Sequence, residues 1–545
     1  MILRLVAVII LGVVAACASP ALSGSGWSQE LSLGLEGPVN SPERLTAATA
    51  TRQTHPPTAP FAVSLRQEFG LPPIHDVQSD AAAEITDRTQ VFQRARLLNI
   101  DSGTADTSWK AAADTVTADR AILPTLLQQP LRRLTFRGTR LSELNAAIAA
   151  AGPAHITVTS RTLQADTGLT ITGQNLILDF AGAAIDVGAQ PPLWLVSLVN
   201  ARHVAVLNAQ INGGTNGFLV NNSSDVAIEG NDVERLTQNG IVLTGQSSDV
   251  DIHANHLHDL GRAGIMLHGP VTTALLEDNE IDHLQGHSNW NAGILLTGRD
   301  GDIAADPNAF LLPDHYWVVT EQLVRRLKNP SQNVILGNRI HDSLSSGIYN
   351  DGAIANVFVE NRIAGNAKEG ICFDNGATAN VFAGNIVRGN GRRWGQPDAV
   401  LALDSVLGAG RAADGTSNAK LPGISVDNAL YNEIVGNYID VNDGGGVKMV
   451  RTGLFNVIVA NTISDNNLGA SPRFHFFGVE LGGAPADAPV VDLDFVGSSG
   501  NVIYGNAIHG QHYAGVFIGS DSVQNDVLRN DITGALAFAV EAQGR

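Results

Sequence analysis

At 545 residues the chain is long enough for a large core, yet only 16% of it is charged, 5% is aromatic and 57 positions are glycine. That composition excludes an architecture of long helices and points to many short strands and turns. A net charge of −19 and a pI near 5.1 exclude the broadly basic surface that nucleic-acid phosphates require. An acidic partner would need a local basic patch or a bound cation, acting within a Debye length of about 8–10 Å.

The first 16 residues, MILRLVAVIILGVVAA, place Arg4 ahead of an apolar run too short to span a bilayer but of the length of a secretory signal. Val14-Ala15-Ala16-Cys17 resembles the lipobox of bacterial lipoproteins, which implies lipidation at Cys17, with Ala18 after it favouring the outer membrane; cleavage by an ordinary signal peptidase, for instance after Ala18, is the alternative. With Cys372 the only other cysteine, no disulfide framework supports the fold. Residues 18–139, rich in Ser, Thr, Pro, Ala and Gln, read as a tether and a loosely structured segment. Leu141, Leu144, Ile148 and Ala151 then recur at helical spacing up to Gly152, so this stretch is expected to be a short helix capping the open end of a solenoid.

From residue 140 onward the chain repeats. Asn231, Asn255, Asn279, Asn338, Asn361, Asn385, Asn437, Asn461, Asn506 and Asn530 are each followed two residues later by Val, Leu or Ile, in steps of 23 or 24 broken by three longer gaps of 59, 52 and 45. A period of this length signals a stacked solenoid. Short Val/Ile strands punctuated by Gly and Asn favour a parallel β-helix over leucine-rich or helical repeats. The asparagines are expected to form a side-chain ladder at one turn and to occupy its left-handed backbone. With these NxI and GI repeats, residues 140–545 resemble the right-handed parallel β-helix proteins of the pectate-lyase-like group. That group spans lyases, epimerases, glycoside hydrolases, a maturation protein and adhesins, and fold alone does not select among them. The DPH-type motif of the mannuronan epimerases and the NTD, DD, GHG and RIK set of the polygalacturonases are missing, so neither family's catalytic residues carry over.

Three repeats end alike: GIYND, GICFD and GISVD, starting at Gly347, Gly370 and Gly423 and closing on Asp351, Asp374 and Asp427. Strand alternation turns the isoleucines inward and the aspartates outward, together with Tyr349, Cys372 and Ser425. The outer column so formed runs Thr244, His268, Thr297, Asp351, Asp374, Asp427, Val450. Its neighbour contains Tyr349, Cys372, Ser425, Lys448 and Glu480. Four stretches that break the repeat, 298–331, 391–422, 467–477 and 482–500, adjoin these strands, as the walls of a binding groove would.

At about 4.8 Å between strands the three carboxylates cannot all ionise unaided. One must hold a proton, or a cation such as Ca²⁺ must sit among Asp351, Asp374 and Asp427. The resemblance implies Ca²⁺ neutralising a substrate uronate, with Lys448 or Tyr349 as the base, although nearby carboxylates would raise the pKa of Lys448 and weaken it in that role. A metal-free alternative is hydrolysis by a carboxyl pair. The bland alternative is ordinary turn chemistry, since each aspartate precedes Gly or Asn. His268, Arg392, Arg393, Trp394 and Glu480 are candidate substrate contacts, with the arginines as carboxylate clamps and Trp394 stacking on a sugar. Arg325 and Arg326 lie on a helical-looking insertion, His315 to Asn329. His258, His341 and His509 fall on another face and read as structural or solvated, and Cys372 as a packed thiol without a histidine partner. The expectation is an exported, lipid-anchored protein acting on a polysaccharide, most simply an acidic one, by lyase or epimerase chemistry. A glycoside hydrolase, or a non-catalytic binding, scaffold or maturation protein, are the alternatives.

Overall fold

The computed structural model describes residues 122–286, 291–298, 329–374, 376–391, 421–427, 431–450, 456–466, 476–482, 500–510, 512–520 and 525–543, with positions 429, 453, 498 and 522 between them. The leader with Cys17, and Arg325, Arg326, Arg392, Arg393 and Trp394, lie outside the described residues. No helix among the described residues is long and apolar enough to cross a membrane.

Each coil contributes one short strand to each of three parallel sheets of 14, 13 and 13 strands. In the coil from 356 to 374, Val357–Val359 belongs to sheet I, Arg362–Ala364 to sheet II and Ile371–Asp374 to sheet III. Sheet I begins with β1 (Arg132–Phe136), which pairs with Ala154–Val158 and so precedes the expected boundary at 140. A short helix, α1 (Leu123–Leu127), sets Leu126 against Ile177, Ala205 and Ala227 on the outer face of sheet I. The expected capping helix is α2 (Leu141–Ala151), and Gly152 takes φ +63° as it ends. Leu141 and Leu144 join the core, while Asn145 bonds Gly168 O and Thr170 N–H, which stitches the helix to the first strand of sheet III.

Inside the coil, apolar side chains stack in register. Leu257, Ile281, Ile340, Ile363 and Val387 follow one another down sheet II, all fully buried. Each such burial contributes about 1.5–3 kcal/mol. Phe358, Phe373 and Phe382 fill the middle coils with ring centroids 6.1–6.3 Å apart. The glycine that opens each sheet III strand also has a packing cause. A Cβ at Gly347 would lie 2.6 Å from Gly370 O and collide with the Ile363 side chain, and the same clash recurs at Gly240, Gly264 and Gly293.

The asparagine ladder forms as expected, and two further ladders accompany it. Between sheets I and II, Asn361 donates from Nδ2 to Asn385 Oδ1 (2.9 Å) and to Ile335 O (2.9 Å), while its backbone N–H reaches the same Oδ1 at 2.8 Å. Asn333, Asn356, Asn380, Asn432, Asn456, Asn501 and Asn525 repeat this at the corner before sheet I. Asn366, Asn390, Asn442 and Asn466 do so at the corner after sheet II. The middle coils are therefore triangles with a buried amide stack at each corner, and the stacked amides satisfy one another. One expectation is corrected. The left-handed residue is the one before each ladder asparagine, as at Asp278 (φ 50°), Glu360 (φ 53°) and Ala460 (φ 53°), because the asparagine must keep its side chain pointing into the coil. At Tyr431 and Val441 this costs about 1–2 kcal/mol each, offset by the adjacent ladder bonds.

Candidate functional site

Sheet III places the three aspartates as the strand alternation requires. Thr297 pairs with Asp351, Asp351 with Asp374, and Asp427 continues the register one position beyond Phe373↔Val426 before pairing with Val450. His268 precedes Thr297 in the same column and sits 3.3 Å from the Thr244 hydroxyl through Nδ1. Asn350, the one polar side chain on the inner face of these strands, is fully buried and accepts the Ala353 N–H, fixing the turn that carries Asp351.

Hydroxyl groups orient two of the carboxylates. The Thr297 hydroxyl donates to Asp351 Oδ2 at 2.7 Å, and the Tyr349 hydroxyl donates to Asp374 Oδ2 at 2.6 Å. Charge-assisted bonds of this kind are about twice as strong as neutral ones. Asp351 is 2% exposed, whereas Asp374 and Asp427 are half-buried. Thr297 stood in the sequence-derived column without a role; its part in holding Asp351 needs the register, which only the fold supplies.

The neighbouring column is drier than its polar residues suggested. Val242, Met266, Leu295, Tyr349 and Cys372 form one apolar cluster with Ala263 and Ala292. Burial, then the charge of Asp374, pushes the Tyr349 phenol well above its ordinary value, and burial with the surrounding carboxylates does the same to the Cys372 thiol. Tyr349 therefore stays protonated at neutral pH, and Cys372 is a packed thiol. Further along, Lys448 Nζ is 3.3 Å from Glu480 Oε1. Burial raises the pKa of Glu480, and the ammonium of Lys448 opposes that rise.

Among the described residues, sets of three His, Cys, Asp or Glu side chains with ligand atoms within 4.8 Å of one another all involve sheet II. Of the candidate contacts, His268 and Glu480 lie on sheet III with the aspartates, whereas Arg392, Arg393 and Trp394 fall outside the described residues. The segments 299–328, 392–420, 467–475 and 483–497 each adjoin a strand of this sheet at one end.

The chain matches the family described as "Right handed beta helix region" over residues 140–310 and 326–421. It is a right-handed parallel β-helix protein. Among solved structures, this β-helix is similar to the catalytic unit of a thermostable GH87 alpha-1,3-glucanase from Streptomyces thermodiastaticus strain HF3-3. The identity is 13% over 74% of this chain and 69% of that one, with a TM-score of 0.50. Weaker likenesses link it to a PL6 alginate lyase in complex with a trisaccharide (TM-score 0.43, 10% identity, 77% and 90% covered) and to the periplasmic alginate epimerase AlgG (TM-score 0.36, 12% identity, 79% and 88% covered). At these identities the likeness is one of fold. No curated protein matches the chain by sequence.

Proposed function

We propose that this β-helix is an exported carbohydrate-active protein that cleaves a polysaccharide over sheet III by carboxyl acid and base chemistry. The observation that carries the reading is the registered column Asp351, Asp374, Asp427, two of whose carboxylates are held by the hydroxyls of Thr297 and Tyr349. Carboxyl groups on adjacent coils, spaced near 4.8 Å, approach the roughly 5–5.5 Å of retaining glycosidases, and a pair two coils apart approaches the upper end of the inverting range. Lys448 is held in an ion pair with Glu480, 3.3 Å away, rather than standing alone in the groove column.

A second reading, lyase or epimerase chemistry on an acidic polysaccharide, is favoured by one contact. In that reading the Tyr349 phenol, held at Asp374, would supply the proton to a sugar carbon or a leaving oxygen. The full chain incubated with neutral and uronate-containing polysaccharides separates the two. New reducing ends without ultraviolet absorbance support hydrolysis, and an absorbing unsaturated product supports elimination. If neither product appears, or if Asp374→Asn retains full activity, the catalytic assignment fails and a non-catalytic binding role takes its place. Export with lipid anchoring at Cys17 rests on the leader Met1–Cys17. Metabolic labelling with a fatty acid, present in the wild type and lost in Cys17→Ser, tests it.

A further inference from the structure

Sheet II carries an unusual outer face in its early coils. Two columns of outward side chains run side by side: Asp232, His256, Glu280, Arg339 in one and Glu234, His258, Asp282, His341 in the other. Asp232 Oδ1 faces two imidazole nitrogens, His256 Nδ1 at 3.5 Å and His258 Nε2 at 3.3 Å. The two rings stack with centroids 4.3 Å apart. Asp232 Oδ1 is shielded from solvent and has no hydrogen-bond partner.

The far side of each ring is occupied by a carboxylate. His256 Nε2 lies 3.1 Å from Asp282 Oδ2, and His258 Nδ1 lies 3.1 Å from Asp259 Oδ2. A ring that donates N–H on that side leaves its other nitrogen unprotonated on the side of Asp232, and the two nitrogens and the carboxylate oxygen lie within 4.8 Å of one another, so a modest turn of the stacked rings would let all three reach one ion. Outer carboxylates that fix an imidazole in this way are the usual support of a metal-bound histidine. The spacing also fits. Metal–ligand bonds of about 2.1 Å in tetrahedral geometry put ligand atoms roughly 3.4 Å apart, close to the two separations seen here. Four carboxylates, Asp232, Glu234, Asp259 and Asp282, lie within 4 Å of the two rings.

We propose that Asp232, His256 and His258 bind a divalent transition ion of the Zn²⁺ type, pinning two adjacent coils together and leaving further coordination positions to water. Nitrogen and carboxylate donors select such ions over Ca²⁺ or Mg²⁺. The neighbouring set Glu280, Asp282 and His341 is less suited, because the Arg339 guanidinium already sits 3.0 Å from Glu280. This site is on a different sheet from the aspartate column and is independent of the catalytic reading.

The test is a Zn²⁺ titration by calorimetry of the full chain after chelation and dialysis, with Co²⁺ as a spectroscopic probe. The expected result is saturable Zn²⁺ binding with a visible Co²⁺ band and a Zn²⁺-dependent rise in melting temperature. The Co²⁺ band and the thermal shift are lost in His256→Ala and His258→Ala, and affinity falls about tenfold in Asp259→Asn. His341→Ala should bind as the wild type does. Both histidines are on the surface of the coil, and unchanged circular dichroism of the metal-free variants checks that they fold. Absence of saturable binding, or binding undiminished in His258→Ala, overturns the proposal and leaves an alternating array of ion pairs across the strands.

Discussion

The Tyr349 hydroxyl reaches from one coil to the next and donates to Asp374 Oδ2 at 2.6 Å, so a buried phenol of the neighbouring column holds one of the half-buried carboxylates of the outer column. If that bond sets the carboxyl geometry for catalysis, Tyr349→Phe should lower kcat on the active polysaccharide by about 10–100-fold with little change in KM. Asp374→Asn should abolish turnover. Steady-state kinetics on both variants, with melting curves as a control, would show it; a Tyr349→Phe enzyme with wild-type kcat would remove Tyr349 from the machinery.

The amide stacks make a stability prediction that does not depend on function. Asn385→Ala takes away the acceptor shared by the Asn361 N–H and Nδ2 and the donor to Phe358 O, all inside a fully buried corner. Two stranded donors at about 1–3 kcal/mol each should cost roughly 3–5 kcal/mol in denaturant unfolding. Asn530→Ala, at the last rung where the stack is only partly buried, should cost less.

Gly347→Ala should destabilise by about 1–3 kcal/mol, because its new methyl group meets both a neighbouring carbonyl and the Ile363 side chain in a close-packed layer. Thermal melting of this variant beside Gly152→Ala separates steric overlap from backbone strain, since a Cβ at Gly152 meets nothing within 4 Å but sits at φ +63°.

Two buried groups give opposing pH dependences. Burial raises Asp251 from 3.8 to about 6, so the native state holds a proton that the unfolded chain releases, and stability falls as pH rises through about 4 to 6. Burial lowers His512 from 6.5 to about 4, so the unfolded chain takes up a proton first, and stability falls as pH drops through about 6.5 to 4. In the wild type these slopes largely cancel. Asp251→Asn should therefore gain about 1–3 kcal/mol at pH 7 and lose that gain on acidification, exposing the His512 slope. Chemical denaturation of the pair at pH 7.5 and pH 4.5 checks the sign.

The parts of the fold and site that were legible in the sequence come from periodicity. Strand alternation placed Asp351, Asp374 and Asp427 in one column, and the 24-residue step placed the first amide ladder, because both rules act on neighbouring residues or a constant repeat. The other two ladders are equally written in the chain. NVFVENRIAGN (356–366) and NEIVGNYIDVN (432–442) set asparagines five residues apart, one for each corner of the coil, whereas the NxI step traces only one of the three series. Burial of Tyr349 and Cys372 was not legible, since alternation tells which face a side chain takes and nothing of how closely the column packs. The ion pair of Lys448 with Glu480 is foreseeable from their adjacent places in one column. His258 and His341, which read from the sequence as structural or solvated, stand in a patch of ion pairs whose carboxylates only the stacking of the coils reveals.

The Asn279 and Asn338 side chains touch at 2.9 Å although 59 residues separate them in the chain, and Asn385 meets Asn437 at 3.0 Å across 52. The corner contacts therefore do not register how much polypeptide is spliced in at the ends of sheet III. Lineages carrying this coil can lengthen, shorten or exchange those segments while the stacked amides hold the scaffold in step. Diversification of what the surface recognises is thereby uncoupled from the survival of the fold, and transplanting one such segment between related coils should yield a folded chimera.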